Sequence, residues 1–354
     1  MTEEAPHPNR IQVPSPSNKN GSRKLLNDSS DKNFALFKKL LTTIEPDTRW
    51  NITGPVIQSR ECDIYRANSD FSHLALAIKY YHPGASRATP EQQFSALERC
   101  HPDMTDTSPQ LKVPKVFLVN TQHRLLVMEW IDGTSLLHHL WNPVMKKQLS
   151  AAYLYQVGAW LRKYHDLSHP KSSHIVIAEY LKLLNKNNGD SVSTASSRSV
   201  FFQSVFDFLQ HLEEKGTVLP TMDAVVHGDF TPANILLADD RIYGLDIWGT
   251  VRRPIYHDVC RMIVYLAIAY PFYMVGNIFT KQASLTSKIA CFVEGYGTDR
   301  LNPQSATFKI ALLVELLRRW RVISSRQGSL VTSVTNYYQL KRIEQQAKLL
   351  MPLI

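Results

Sequence analysis

The chain has 354 residues, 44% of them apolar and 20% charged, a length and balance that allow two domains or one large two-lobed domain with an ample core. Its four cysteines, Cys62, Cys100, Cys260 and Cys291, show no C-x-x-C spacing, which argues against a zinc site or a disulfide framework and fits a reducing cytoplasm. Lys and Arg outnumber Asp and Glu by 40 to 31, and the net charge of +9 favours anionic partners over a polycationic one.

Residues 1–32 are rich in Pro, Asn, Ser, Lys and Asp without apolar periodicity and read as a disordered tail. The opening MTEEAPHPNR has no apolar core and so is no secretory signal. Apolar spacing predicts a helix over 34–44, followed by strand patterns at 51–57, 62–67 and 74–81. Residues 90–100 predict a helix with Thr89 as cap and Pro90 in the first turn. A polar linker, 102–110, precedes two more strands at 115–120 and 124–130, with His123 in the turn between them. Thr134 is placed to cap a short helix, and an amphipathic helix is expected over 147–165, ending in W-L-R-K-Y-H-D. Residues 166–198 read as a Ser-, Asn- and Lys-rich loop around a short helix at 175–184, and 200–216 as another helix.

Beyond residue 258 the pattern is almost wholly helical, with strong periodicity over 309–323 and 337–350. Arg318, Arg319 and Arg321 cluster in the first of these, where a solvated basic face is the expectation. The apolar run 262–279 is about long enough to span a bilayer. Pro271 interrupts it, Tyr and Asn dilute it and Arg261 abuts it, so a buried core helix and no transmembrane span is expected.

The chain is organised around residues 227–258, HGDFTPANILLADDRIYGLDIWGTVRRPIYHD. An H-x-D triplet is followed five residues later by Asn234, then by a hairpin-like segment turning at Asp239-Asp240, then by Asp246 at the end of an apolar run. Phosphoryl transfer needs this set: a carboxylate, Asp229, to orient a hydroxyl and accept its proton, and hard oxygen donors, Asn234 and Asp246, for Mg²⁺. His227 is expected to hold the loop through a hydrogen bond, and Pro232 to stiffen the turn presenting Asn234. A buried strand pair would explain the apolar run ILL but not the spacing of His, Asp, Asn and Asp.

The H-G-D-x-x-P-x-N-I-L form, with the later apolar-x-D, resembles the catalytic segment of the aminoglycoside phosphotransferase and choline kinase family, distant relatives of protein kinases. The resemblance implies an α+β, bilobal protein-kinase-like fold: a small N-lobe built on an antiparallel sheet, residues 33–130, and a larger, mainly helical C-lobe, residues 131–354. It implies ATP, or GTP, with Mg²⁺ as cofactors and a small-molecule hydroxyl as acceptor. Lys79, closing the Ala-Leu-Ala-Ile run, matches the lysine that pairs with the phosphates; a strand-exit lysine reaching solvent is the other reading. The phosphate loop, 55–63, has no internal glycine, so Ser59 and Arg60 would contact phosphates through side chains. The partner of Lys79 falls on Gln93, with Glu91 the alternative after half a turn.

V-M-E-W-I-D-G resembles the inter-lobe hinge, where the Glu129 carbonyl and the Ile131 amide would read the adenine edge and Met128 would back the ring. Gly228 stands where protein kinases carry Arg, so control by a phosphorylated activation loop is not expected. Asp258 would anchor the catalytic loop; an exposed residue at a helix N-terminus is the other reading. His165 is expected to be a structural hydrogen-bonding residue.

The expected activity is an ATP-dependent phosphotransfer to a sugar, an amino alcohol or an aminoglycoside-like acceptor, in the cytoplasm. A neutral or anionic acceptor suits the net charge, a peripheral contact with an anionic surface is compatible with it, and no nucleic acid is expected. Two alternatives stand beside it: a kinase acting on a protein or a glycan such as lipopolysaccharide, and a non-catalytic nucleotide-binding scaffold.

Overall fold

The computed structural model describes residues 26–84, 89–142, 151–185, 196–249, 251–268, 278–279, 285–326 and 330–354. Helix α1 (Leu26–Leu41) is followed by strands β1 (Trp50–Gln58), β2 (Cys62–Ser69) and β3 (Ala75–Tyr81) and by helix α2 (Pro90–His101). Strands β4 (Leu111–Lys112), β5 (Val116–Asn120) and β6 (Leu125–Glu129) follow. Five of these strands form an antiparallel sheet in the order β1-β2-β3-β6-β5.

Period-2 alternation gives that sheet two apolar faces. On one, Leu76, Ile78, Leu125 and Val127 pack with Phe37 and Leu41 of α1 and with Trp50 and Tyr65. On the other, Ala77, Tyr81, Leu126 and Met128 join the main core, and Lys79 lies on this inner face between Ala77 and Tyr81. Each large side chain so buried contributes about 1.5–3 kcal/mol. Helix α2 begins in a reciprocal cap: Gln92 N–H donates to Thr89 Oγ1 (3.3 Å) and Thr89 N–H to Gln92 Oε1 (3.1 Å), with Pro90 in the first turn.

The remainder is mainly helical, with two small sheets. Strand β7 (Thr134–Ser135), helix α3 (Leu136–Trp141), helix α4 (Ala151–Asp166), strand β8 (Lys171–Ile175) and helices α5 (Ile177–Asn185) and α6 (Ser196–Glu214) lead to strand β9 (Leu219–Val225). Strands β10 (Ile235–Ala238), β11 (Arg241–Gly244) and β12 (Arg252–Pro254) and helices α7 (Tyr256–Ile268), α8 (Ser287–Tyr296), α9 (Ala306–Ser324) and α10 (Leu330–Leu350) complete the chain. The small sheets run β4-β11-β10-β7 and β12-β9-β8. Helices α4 and α8 cross in close contact, because a Cβ on Gly158 would lie 2.1 Å from the Phe292 carbonyl oxygen and one on Gly295 1.9 Å from that of Tyr155.

Several expectations change. The first helix begins at Leu26, eight residues before its predicted start. Ser135, not Thr134, caps α3, its Oγ accepting from His138 N–H at 3.1 Å, while Thr134 pairs with Leu237 in a strand. The polar linker holds a short π-helical turn (Pro102–Asp106), and β4 beyond it pairs in parallel with β11. The β12-β9-β8 sheet went unrecognised because KSSHI is a polar edge strand with little alternation. Of the apolar run 262–279, residues 262–268 lie in α7, whose Met262, Ile263 and Val264 are core residues, and 269–277 lie outside the described residues. Among the described residues no helix is long and apolar enough to cross a membrane.

Candidate active site

Lys79 is buried at the inner face of the sheet, where an ammonium needs partners. It donates to Asp246 Oδ1 at 2.6 Å and to Gln93 Oε1 at 3.0 Å. Gln93 Nε2 donates in turn to the same Asp246 oxygen at 3.1 Å, and the Tyr81 hydroxyl also donates to Gln93 Oε1. Burial works against the lysine's charge, but the Asp246 carboxylate outweighs it and raises the ammonium's pKa. Burial likewise opposes the Asp246 charge, and Lys79 and Gln93 overcome it and lower the carboxyl's pKa. Between the two candidate partners of Lys79, the structure brings in Gln93; Glu91 instead turns to Thr121 and Thr89, whose hydroxyls lower its pKa.

Gln93 is neutral for a reason visible here. A carboxylate in its place would face Asp246 and forfeit the amide's hydrogen bond to it. Gln93→Glu is therefore expected to lower kcat/KM for nucleotide by about tenfold, the scale of one unsatisfied buried polar group, measured by steady-state kinetics. An increase would show that Lys79 wants the second charge.

The loop that carries Asp229 hangs on Asp258. This fully buried carboxylate accepts from the backbone N–H of His227 (2.6 Å) and Gly228 (3.0 Å), from His165 Nε2 (3.1 Å) and from His257 Nδ1 (3.4 Å). Burial alone would push its pKa up, yet His165 and His257 hold it well below the usual range. Gly228 permits the loop's course, since its φ of 86° is in the region that L side chains avoid.

His227 is boxed by aromatic rings: Trp160 and Phe230, stacked on each other at 5.6 Å, approach it edge-on with Tyr164. Its Nε2–H donates to the Leu245 carbonyl at 2.8 Å, so Nδ1 is the acceptor for Asp229 N–H at 3.4 Å. The ring is thus neutral and tethers the Asp229 backbone to the strand end beside Asp246. Burial lowers its pKa from 6.5 despite the pull of Asp258 and Asp229. A folded-state pKa below the unfolded one means that this stabilisation is complete above pH 6.5 and is lost as pH falls below it. The thermal midpoint is expected to drop between about pH 7 and pH 5, and His227→Asn, which can still donate to Leu245, to remove part of that drop in calorimetry.

Asp229 itself is partly exposed. Arg261 holds its Oδ1 at 3.2 Å and also donates to the Gly228 carbonyl. Asn234 Nδ2 donates to the Asp229 carbonyl at 2.8 Å, and Leu245 N–H donates to the Asn234 carbonyl at 2.8 Å, so Asp229, Asn234 and Asp246 are drawn together. Asp246 has φ of 53°, a strained value for a non-glycine residue and one that recurs at functional sites. Both of its described hydrogen bonds fall on Oδ1, leaving Oδ2, and Asn234 has its side-chain oxygen remaining. Those two hard oxygens fit Mg²⁺, which takes one or two protein oxygens and fills its octahedron with phosphate and water. Among the described residues there is no cluster of three His, Cys, Asp or Glu that would hold a metal by protein alone.

The residues expected at the nucleotide are arranged less uniformly. The expected phosphate loop is shorter than predicted, because β1 continues to Gln58, opposite Asp63. Ser59 is committed to that turn, its hydroxyl donating to the Cys62 carbonyl (2.9 Å) and accepting from the N–H of Glu61 and Cys62. Arg60 is exposed at the tip. Met128 lies on the same inner face as Lys79, and the Glu129 carboxylate accepts from Lys115 N–H at 3.2 Å. Ile131 lies two residues beyond β6, with its carbonyl accepting from Gly133 N–H. Arg66 grips Asp132 with two bonds of 3.0 and 3.1 Å and lies over Trp130, tying β2 to this segment.

On the other side of Asp229 a cavity of about 720 Å³ opens, lined by His227, Gly228 and Asp229 and by residues of β12, α7 and α9. Arg318, Arg319 and Arg321, read from sequence as a solvated face, line it. Nothing in the linear pattern separates a helix face toward a cavity from one toward solvent.

A five-stranded antiparallel sheet with a buried lysine, joined to a helical part that presents Asp229, Asn234 and Asp246 on one loop system, defines a protein-kinase-like fold. Residues 76–246 match the family model of the phosphotransferase enzyme family. The fold is similar to that of a spectinomycin phosphotransferase crystallised with ADP and spectinomycin (TM-score 0.54, 15% identity, covering 90% of this chain and 98% of that one). It is also similar to an amicoumacin kinase in complex with AMP-PNP and Ca²⁺ (0.54, 14%, 90% and 96%). A third is a choline kinase from Cryptosporidium parvum (0.56, 11%, 90% and 96%). At these identities the likeness is one of fold. No curated protein matches the chain.

Proposed function

We propose that this phosphotransferase moves the γ-phosphoryl group of ATP or GTP to a hydroxyl of a small molecule. The observation that carries the reading is the position of Asp229, held by Arg261 and Asn234 between the Lys79–Asp246 pair and the arginine-lined cavity. Two fold neighbours hold ADP or AMP-PNP, which supports a nucleotide on the Lys79 side. In this reading residues 33–130 form the nucleotide lobe, with Met128, Glu129 and Ile131 at the adenine and Ser59, Arg60, Glu91 and Gln93 shaping or supporting the phosphate end. Residues 131–354 carry the catalytic loop and the acceptor pocket. The four cysteines are free, in keeping with a reducing cytoplasm.

Asp229 orients the acceptor hydroxyl and takes its proton late in the transfer. Lys79 has three N–H donors, two of them spent on Gln93 and Asp246, and the third is available to a phosphate oxygen. Asn234 and Asp246 would hold Mg²⁺, which supplies charge neutralisation of the phosphates when bound. His227, neutral and tethered, holds the loop and moves no proton.

The test is nucleotide-dependent thermal shift with and without Mg²⁺, then phosphate gain by mass spectrometry across a panel of hydroxyl acceptors, for wild type and Asp229→Ala. Equal turnover by the two proteins would sink the reading.

A further inference from the structure

The cavity beside Asp229 is lined by six arginines, Arg253 from β12, Arg261 from α7, Arg318, Arg319 and Arg321 from α9, and Arg326 just beyond it. Against them stand two carboxylates, Asp229 and Glu315. Glu315 is buried and spent on Arg261 (3.2 Å) and Arg318 (2.9 Å), and Arg261 is the arginine that also holds Asp229. His257 stands between Asp258 and Arg318, its Nδ1 at 3.4 Å from the carboxylate and its Nε2 at 3.3 Å from the guanidinium.

The other four, Arg253, Arg319, Arg321 and Arg326, have no carboxylate partner among the described residues. Arg319 lies over the Tyr265 ring at 4.2 Å and donates to its hydroxyl at 2.7 Å, while its Nε is buried without a partner. Arg321 donates to the Leu184 carbonyl and packs over Phe202. Burial lowers the pKa of both; for Arg319, Tyr265 and Glu315 offset part of the fall, and Arg326 and Arg261 add to it. Drawing Arg319 and Arg321 into a recess without matching acids costs free energy that a fully solvated face would avoid, while Arg253 and Arg326 are exposed. What offsets it is an oxyanion brought in from outside, since the guanidinium fork matches phosphate and carboxylate geometry.

We propose that the acceptor is an anionic hydroxyl compound, a phosphorylated, sulfated or carboxylated small molecule, whose oxyanion is seated on Arg319 and Arg326 while its hydroxyl faces Asp229. The cavity has the volume of an ordinary small-ligand site, about 300–1,000 Å³. The inference rests on the phosphotransferase reading above and narrows its acceptor class.

The experiment uses the full chain with Mg·ATP and matched acceptors: glucosamine, glucose and glucose 6-phosphate, then ethanolamine, glycerol, glycerol 3-phosphate and glycerate. Phosphate gain is read by mass and kinetics by ADP release. The anionic members are expected to be the preferred acceptors. Arg319→Gln and Arg326→Gln, checked for folding by thermal midpoint, are expected to raise KM for the anionic acceptor about ten- to a hundredfold, the scale of one lost charged hydrogen bond. The effect should fall on KM more than on kcat and be partly restored by Arg326→Lys, with KM for ATP unmoved. Preference for the amino or neutral members, or silence of the anionic ones, overturns the inference. So does a variant effect on KM for ATP that spares the acceptor, which would give these arginines to the nucleotide. If neutral or amino acceptors gain phosphate and anionic ones do not, the phosphotransferase reading stands alone. If wild type transfers to nothing beyond the Asp229→Ala background, that reading falls too.

Discussion

Asp229→Asn is expected to leave a folded protein that binds nucleotide and transfers phosphate about 10²–10⁴-fold more slowly, the usual contribution of a positioned general base. Asparagine keeps the shape of the side chain and the backbone carbonyl bonded by Asn234 Nδ2. It loses the charge that faces Arg261 at 3.2 Å and the ability to accept the hydroxyl proton. The loss should therefore appear in kcat, with KM for ATP and the nucleotide-induced thermal shift close to wild type. Single-turnover measurement of acceptor phosphorylation separates this from slow product release. A kcat within a few-fold of wild type would remove Asp229 from the chemistry.

The second large effect is expected at a residue that touches no substrate. Asp258→Ala strips the partners from two buried N–H groups and two imidazoles at once. Breaking a buried charge network of this kind costs about 3–5 kcal/mol, or roughly 5–15 °C in thermal midpoint for a domain of this size. Because Asp229 follows directly on Gly228, the same change should depress kcat well before it affects nucleotide binding. The pH dependence has a fixed sign. The folded pKa of Asp258 lies well below 3.8, so its contribution is complete above pH 3.8 and is lost as pH falls through the folded value. The stability gap between wild type and variant should hold at neutral pH and close only in strong acid. A gap that is already closed at pH 5 would mean that the carboxylate is not the anchor.

Much of the site was legible because the residues that act together are also close in sequence. His227, Asp229, Asn234 and Asp246 fall within twenty positions, and a short hairpin, β10–β11, brings the last beside the first. Lys79 was legible because an ionised group closing an apolar strand demands an explanation. The central strands β3 and β6 were readable for a related reason, since strands buried on both faces carry long apolar runs. The pairing of Lys79 with Gln93 was open between two residues, because half a turn of α2 changes the answer and only the packed helix sets its phase. Ser59 was assigned to phosphate from its place in a loop, yet its hydroxyl closes the turn, a local bond that linear order does not reveal.

The sequence by itself placed Asp229, Asn234 and Asp246 in one motif and laid out most strands of the sheet, since a linear motif and period-2 strands carry that information within a few residues. Tertiary structure alone decided what stands opposite Asp229. The arginines of the cavity come from β12, α7, α9 and the residues after it, spread from Arg253 to Arg326, and each alone looks like part of a solvated surface. Whether a charged helix face meets water or a recess depends on which elements pack around it, and that is a property of the fold and not of any one segment.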